Sequence, residues 1–329
     1  MRAFNYSKTR AAGDAVMTVS GQPEAKFIAG GTTLVDLMRI NVETPAQVVD
    51  INALPLKTIQ ALPGGGVRIG ALARMSEVAE HPLIVQGFPA VSQALLLSAS
   101  PQLRNKASIG GNLMQRTRCP YFRDTALPCN KREPGSGCSA IGGENRMLAI
   151  LGTSENCIAT NAGDMAVSMS ALDAVVRIRG PKGDRTVNLV DFYVVPGSTP
   201  NIETVLQHGE LILAIDLPAA PHAARSHYLK VRDRASYEFA VTSAAVGLDV
   251  QGSTIRSARV ALGGVGTKPW RSKEAEAALV GRPATEATFV AAAQIALSGA
   301  KPRSQNAFKI PLAQRTLVKA LRTLAGGGS

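Results

Sequence analysis

The chain has 329 residues, enough for two or three domains with substantial cores, and its 45% apolar and 18% charged residues are typical of a globular protein. Aromatic residues make up only 4%, and the basic residues behind the net charge of +12 are scattered, so no nucleic-acid groove is expected. The charge instead indicates a solvated basic face, or a surface for an acidic partner or an anionic cofactor.

The N-terminal stretch, MRAFNYSKTRAAGDAV, has neither the apolar core of a signal peptide nor an adjacent pair of arginines. No apolar run in the sequence approaches the roughly 18 residues of a membrane-spanning helix. We therefore expect the chain in the cytoplasm, unless it leaves the cytoplasm already bound to a partner that carries a signal.

The first 60 residues predict a small α/β unit built around a glycine turn. A short strand over 26–29 runs into the turn Gly-Gly-Thr-Thr at 30–33, and an apolar stripe over 34–38 predicts a helix with Thr32 or Thr33 as its N-cap. Free N–H groups at such a turn attract an anion. An ordinary strand-to-helix turn that uses glycine for its backbone freedom also explains the motif.

A second glycine turn follows about 80 residues later. The segment ASIGGN, at 107–112, surrounds Gly110 and Gly111 with small and hydroxyl-bearing residues, and Arg104 and Lys106 precede it. One such loop is weak evidence for a phosphate site, but two loops could hold one diphosphate from opposite sides. The pair therefore indicates a diphosphate-bearing cofactor more strongly than either loop alone.

All four cysteines of the chain, Cys119, Cys129, Cys138 and Cys157, lie in one segment rich in proline, glycine and charge. Disulfides suit a small secreted chain, and structural zinc usually shows cysteines paired two to four residues apart, which are absent here. A [4Fe–4S] cluster also needs four thiolates but tolerates wider loops. The spacing favours the cluster and leaves zinc, free thiols and disulfides open.

The remaining chain predicts an α+β protein with a domain boundary near 178–186. A helix that runs into a strand is expected over 164–176, with Asp164 as a candidate cap. The strands expected in one antiparallel sheet beyond the boundary cover 211–217, 227–231, 240–250 and 257–263, and the helices expected on it cover 273–279, 286–297 and 311–324. The glycine-rich end, 325–329, is expected to be a frayed tail or an expression scar.

Three segments together resemble the FAD-binding (medium) subunit of the xanthine dehydrogenase and molybdenum hydroxylase family. They are FIAGGTTLVDLMR, ASIGGNLMQRTRCPYFRDTALPCNKREPGSGC and KVRDRASYEFAV, and the likeness runs from Arg2 to about Leu324. Within the family the chain is most similar to the flavoprotein subunits of bacterial periplasmic aldehyde oxidoreductases. The glycine loops occur across the family, whereas the cysteine-bearing insertion belongs to a subset, including 4-hydroxybenzoyl-CoA reductases, that carries an extra [4Fe–4S] cluster.

The resemblance implies the fold of the chain and the boundaries of its domains. A two-subdomain FAD-binding domain of the vanillyl-alcohol-oxidase (PCMH-like) type is expected over 1–180, with subdomains at about 1–55 and 56–180. The iron–sulfur loop insertion is expected at about 114–160. A C-terminal domain similar to that of carbon monoxide dehydrogenase flavoproteins, an antiparallel sheet with helices, is expected over 186–325.

The resemblance also implies the residues that hold each cofactor. The residues assigned to the FAD diphosphate are Lys26, Phe27, Ile28, Ala29, Gly30, Gly31, Thr32, Thr33, Leu34, Ser108, Ile109, Gly110, Gly111 and Asn112. Asp164 would bind the adenosine end, Ile212 would pack near the isoalloxazine ring, and Lys230 would reach the polar edge of that ring. The four cysteines would be the ligands of the cluster. Ser98 aligns with a further contact, although the residue type differs.

The implied function is electron transfer within a heterotrimer. A large subunit would hold a molybdenum cofactor and oxidise an aldehyde, and a small subunit would hold two [2Fe–2S] clusters. This chain would take electrons onto FAD and pass them to an external acceptor, so no catalytic residue is expected in it. Export with a signal-bearing partner would place the complex in the periplasm.

Two other functions stay open at this point. One is a stand-alone FAD-dependent reductase of the same FAD-binding fold, similar to the reductase that makes UDP-N-acetylmuramate. The other is a non-enzymatic scaffold protein stabilised by zinc. Activity of the isolated chain tests the first, and metal analysis against flavin absorbance tests the second.

Overall fold

A computed structural model describes residues 1–326, and within them the chain forms three sheets and their covering helices. Residues 327–329, part of the predicted tail, lie outside the described residues. The strands are β1 (Asn5–Lys8), β2 (Ala25–Ile28), β3 (Gln47–Asp50), β4 (Ile59–Ala61), β5 (Val67–Gly70), β6 (Val175–Gly180), β7 (Gly183–Asn188), β8 (Leu211–Leu217), β9 (Ser226–Val231), β10 (Thr242–Gln251), β11 (Thr254–Gly263) and β12 (Trp270–Arg271).

The helices are more numerous and mostly short. They are α1 (Ala12–Ser20), α2 (Leu34–Arg39), α3 (Met75–Glu80), α4 (Pro82–Gly87), α5 (Pro89–Leu96), α6 (Pro101–Lys106), α7 (Ile109–Leu113), α8 (Pro120–Arg123), α9 (Ser139–Gly142), α10 (Asp164–Ala171), α11 (Leu189–Phe192), α12 (Pro221–Ala224), α13 (Lys273–Leu279), α14 (Glu286–Ala296) and α15 (Lys309–Leu324). In residues 1–326 we find no helix with the length and apolar character that a membrane crossing requires.

The first sheet is parallel, in the order β1–β3–β2. Parallel neighbours need a crossover between them, and α1 and α2 supply the two crossovers. Val48 and Val49 of the central strand are each 1% exposed, and Val16 and Val19 of α1 are buried with the same sheet. The strand and helix predicted on either side of the first glycine turn are confirmed.

The second sheet has the order β4–β5–β8–β6–β7, and each pairing in it is antiparallel. The segment Leu211–Leu217 was expected in the C-terminal sheet, and this is corrected, because it is the central strand here. Its apolar run, LILAIDL, suits a strand buried on both faces of any sheet, so the pattern could not identify its neighbours. The sheet thus continues through Leu217, past the boundary predicted near 178–186.

The third sheet is antiparallel, in the order β12–β11–β10–β9, and α13, α14 and α15 cover it. The long strands β10 and β11 supply buried residues such as Val246 and Val260, which pack with Phe289 of α14 and Leu317 of α15. The expectation of an antiparallel sheet with helices is therefore confirmed from β9 onward.

The cysteine segment, 119–157, has little regular structure and lies against α2. Its small core joins Phe122 and Ile158 to Leu37 of α2, with three of the cysteines buried among them. Because α2 directly follows the first glycine turn, the cysteine segment and that turn share one packing interface.

Candidate functional site

A cavity of about 570 Å³ lies between the first and second sheets, and both glycine turns border it. This is the size range of small-molecule sites. The predicted site residues that line it are Lys26, Phe27, Ile28, Ala29, Gly30, Gly31, Thr32, Thr33, Leu34, Ser108, Gly110, Gly111 and Ile212. Ile109, Asn112, Asp164 and Lys230 are not among its lining residues.

The first glycine loop, residues 29–33, offers unused hydrogen-bond donors to this cavity. In the described chain, the backbone N–H groups of Gly30, Gly31, Thr32 and Thr33 donate to no other residue. Gly31 has a φ of +74°, a conformation that side chains rarely adopt. Thr33 occupies the N-cap position of α2 without a side-chain hydrogen bond, so the predicted capping role is not seen. Consecutive free N–H groups form a ready anion site.

The second glycine loop, residues 107–112, differs because its N–H groups are already used. Ile109 donates to the carbonyl of Ala73 at 3.0 Å, and Gly110 donates to that of Ala71 at 2.8 Å. The N–H of Gly111 donates to Ser108 Oγ at 3.3 Å. Both loops were expected to present N–H groups to one diphosphate, and this is corrected for Ile109, Gly110 and Gly111. The second loop instead forms a wall of the cavity, and its glycines allow a ligand to approach its backbone closely. Ile109 is fully buried in the core, away from the cavity.

Asn52 and Arg74 tie the two loops together. Asn52 Nδ2 donates to the carbonyl of Ala29 at 2.8 Å, and Asn52 Oδ1 accepts from Arg74 at 3.1 Å. Arg74 also donates to the carbonyl of Lys106 at 2.6 Å. A chain of hydrogen bonds therefore runs from the backbone of one loop to the backbone of the other. No local sequence pattern marks Asn52 or Arg74 as part of the site.

Asp164 and Lys230 form a buried polar network away from this cavity. Lys230 Nζ lies 2.8 Å from Asp164 Oδ2, and the two side chains are 1% and 7% exposed. The carboxylate also accepts from the hydroxyls of Tyr228 at 2.6 Å and Ser98 at 3.0 Å. Next to the carboxylate, burial raises the pKa of Tyr228 well above its usual value, so its hydroxyl stays a donor.

Asp164 was expected at the adenosine end of FAD and Lys230 at the isoalloxazine edge. In the structure their charged groups contact each other, so the two side chains lie at one place. Asp164 is the first residue of α10 and borders a second cavity of about 390 Å³, which adjoins the first at Asn161.

A row of alternating charges lines the first cavity on the side of the cysteine segment. Lys26 pairs with Glu43 at 2.8 Å, and Arg116 bridges Glu43 and Glu203 at 2.6 Å each. Lys131, within the cysteine segment, follows at 3.4 Å from Glu203. Among these residues only Lys26 was expected at the site, because the others are scattered along the chain and no local pattern connects them.

The four cysteines converge on one small cavity. Cys119, Cys129, Cys138 and Cys157 all border it, and none forms a disulfide. Burial raises the pKa of Cys119 to about 12 and also raises that of Cys157, so these thiols are protonated without a metal. The N–H of Ala159 donates to the sulfur of Cys157 at 3.4 Å.

The cysteine cavity, which is the small cavity that the four cysteines border, carries four thiol donors but shows no formed metal site. Within residues 1–326, no group of three or more His, Cys, Asp or Glu side chains is arranged to hold one metal ion. Four thiols are a donor set that either a zinc ion or a [4Fe–4S] cluster uses, so the residue types fit both groups.

The cysteine cavity and the larger cavity are neighbours. Lys131, Cys157 and Ala159 border both of them. A group held by the cysteines would therefore lie one layer of side chains from whatever fills the larger cavity.

Two known domain families together match nearly the whole chain. The FAD binding domain in molybdopterin dehydrogenase matches residues 2–220, and the CO dehydrogenase flavoprotein C-terminal domain matches residues 227–324. The first match ends three residues after β8, in accord with the sheet that β8 completes.

Individual relatives agree with these matches. The aldehyde oxidoreductase FAD-binding subunit PaoB of Escherichia coli K12 is 49% identical over 323 residues, which cover 98% of each chain. The carbon monoxide dehydrogenase medium chain of Hydrogenophaga pseudoflava is 26% identical and spans 97% of this chain and 96% of its own. A solved structure of carbon monoxide dehydrogenase from the same organism superposes with a TM-score of 0.78 at 25% identity, covering 100% of this chain and 99% of that one.

Proposed function

Because the chain belongs to the FAD-binding medium subunits of the molybdenum hydroxylase family, we propose that it carries electrons from a partner subunit through FAD to an external acceptor. The chain is an oxidoreductase subunit, and FAD is its expected cofactor from both family and fold. The observation that carries the proposal is the 570 Å³ cavity, which the two glycine loops border and into which the first loop brings unused N–H groups.

The FAD diphosphate is proposed to lie on the first loop. The free N–H groups of Gly30 to Thr33 would neutralise its charge, while Ser108, Gly110 and Gly111 would close the opposite wall. Ile212, which also lines the cavity, is proposed to pack against an apolar part of the cofactor. Asp164 and Lys230, which were expected at opposite ends of FAD, are proposed to act together at one place, beside the second cavity.

The four cysteines are proposed to hold a [4Fe–4S] cluster. Support comes from their convergence on one cavity, their free thiols and the resemblance of this segment to cluster-bearing medium subunits. Bound FAD would exchange one or two electrons, and a cluster would exchange one at a time. The residues of this chain would bind and orient both groups.

The partners are proposed to be a large subunit with a molybdenum cofactor and a small subunit with [2Fe–2S] clusters, in a heterotrimer that oxidises aldehydes. The relative with 49% identity is the FAD-binding subunit of an aldehyde oxidoreductase, which supports the aldehyde as substrate. Export of the assembled complex with a signal-bearing partner is proposed to bring it to the periplasm.

Co-purification of the chain with its partners tests this function. Aldehyde added anaerobically to the complex should bleach the visible absorbance of the flavin, and an added acceptor should restore it. The metal content should be iron and sulfide, about four of each per chain beyond those of the small subunit. Turnover by the isolated chain alone would favour the stand-alone reductase, and a colourless chain that holds only zinc would favour the scaffold.

A further inference from the structure

Lys131 lies where the cysteine cavity meets the 570 Å³ cavity proposed to hold FAD, here called the FAD cavity. It follows Cys129 by two positions, and its side chain borders both cavities. The residue is only 9% exposed. Among the described residues that border the cysteine cavity, it is the one lysine, arginine or carboxylate. A single ammonium group is thus built into the wall of a pocket lined by thiols.

The contacts of Lys131 fix its ammonium group without neutralising it fully. Nζ donates to the carbonyl of Pro200 at 2.9 Å and lies 3.4 Å from Glu203 Oε2. Glu203 makes its shorter contact, at 2.6 Å, with Arg116. The carboxylate is therefore shared between two cations, and part of the positive charge of Lys131 is left to act on the cysteine cavity.

We propose that Lys131 is a positioning residue that raises the reduction potential of the iron–sulfur group held by the four cysteines. The inference rests on the proposed function, since it requires a cluster at that place. In the proposed reduction, one electron from the partner subunit would be added to an already negative set of four thiolates and iron, and no bond would break. Because net charge helps to set the potential of such a group, a fixed cation stabilises the reduced state.

The placement of Lys131 brings this charge next to the proposed ligands. It shares the wall of the cysteine cavity with Cys129 and Cys157, and together with Cys157 it also borders the FAD cavity. A fixed positive charge beside the thiolates favours a reduced cluster over an oxidised one, because the reduced cluster carries one more negative charge.

The test is a potentiometric titration of the purified complex, with the cluster followed by its electron paramagnetic resonance signal. Lys131→Met should lower the equilibrium constant for one-electron reduction by about tenfold, which is about 59 mV. Lys131→Arg should stay close to the wild type, because it keeps the charge. Lys57→Met, at an exposed position away from both cavities, makes the same change in net charge and should leave the potential unchanged.

The iron, sulfide and FAD contents of each variant are measured alongside its titration. They distinguish failure of the role of Lys131 from failure of the proposed function. An unchanged potential in Lys131→Met with full iron overturns the role of Lys131 while the proposed function stands. If Lys131→Met loses its iron, the role of Lys131 is tested with Glu203→Gln instead. Removal of the shared carboxylate should raise the reduction potential of the cluster. An unchanged potential in Glu203→Gln overturns the role of Lys131. A wild-type complex with FAD but without iron on this chain overturns the proposed cluster, and this role falls with it.

Discussion

Gly30 packs directly against the carbonyl oxygen of Lys106, and a Cβ atom at position 30 would overlap that oxygen. The two glycine loops thus meet through backbone alone, at a separation that any side chain at position 30 would increase. The hydrogen bonds of Asn52 and Arg74 hold the loops at this separation. The width of the FAD cavity at this point is therefore set by a glycine.

We expect Gly30→Ala to weaken FAD binding by at least about tenfold, because the loops must move apart and the free N–H groups lose their alignment. Titration of apoprotein with FAD, followed by flavin fluorescence, measures the dissociation constant. Gly13→Ala is the matched control, since an added Cβ at that position of α1 meets no atom within 4 Å. Equal FAD affinities for the two variants would show that the loop contact does not shape the site.

Lys230→Met should destabilise the fold by about 3 kcal/mol, since it leaves the buried carboxylate of Asp164 without its counterion. Urea unfolding of the chain measures the loss. Arg179→Met breaks the exposed pair with Asp184 and should cost less than about 1 kcal/mol. A Lys230→Met variant that unfolds at the same urea concentration as Arg179→Met would contradict the importance of the buried pair.

The stability of the chain should rise with pH through the titration of Lys309. This fully buried ammonium donates to the carbonyls of Leu148 and Gly264, and burial with the nearby charge of Arg146 lowers its pKa to about 7, against a smaller opposing effect of Asp233. Above pH 7 the unfolded chain still binds the proton that the folded chain has lost. Folding is therefore penalised by this group at low pH and relieved as the pH rises.

The variant Lys309→Met isolates the contribution of Lys309 to the pH dependence of stability, because the wild type and the variant share all other titrating groups. Between pH 6 and 8 the free energy of unfolding of the wild type should rise by about 1.4 kcal/mol relative to the variant. Urea unfolding at several pH values provides the measurement. A difference that does not change with pH would mean that Lys309 keeps its proton in the folded chain.

Cys129→Ser should abolish the iron content assigned to this chain and leave most of the FAD in place, because the sulfur borders the cysteine cavity and not the FAD cavity. Iron and sulfide analysis with a flavin spectrum checks both parts. Thr125→Ala, an exposed substitution in the same segment, serves as the control. Full iron in the serine variant would remove Cys129 from the ligand set.

Local sequence patterns predicted the parts of the site that a few adjacent residues determine. The two glycine turns border one cavity as expected, and the four cysteines border another. Each of these motifs needs a particular residue type at a particular backbone position, so each leaves a trace in the sequence. The alternation of apolar residues likewise predicted the sheet and helices of the C-terminal domain.

The features that the sequence did not reveal depend on contacts between distant segments. Asp164 and Lys230 are far apart in the chain, and nothing near either of them indicates that they form a pair. Lys131 and Glu203 are of residue types common at surfaces, and only the fold brings the buried Lys131 next to the half-buried Glu203. The N–H groups of Ile109 and Gly110 donate to the carbonyls of Ala73 and Ala71, two residues without any distinguishing side chain.

The position of β8 affects the order in which the chain can fold as it is synthesised. This strand is the last of its sheet in sequence but lies at the centre, between β5 and β6. Until Leu217 has left the ribosome, those two strands have no partner on their inner edges, while the cysteine segment has already emerged. The cysteine segment therefore emerges while the sheet is still incomplete, and the wall that Leu211 and Ile212 give to the FAD cavity forms only once β8 is in place.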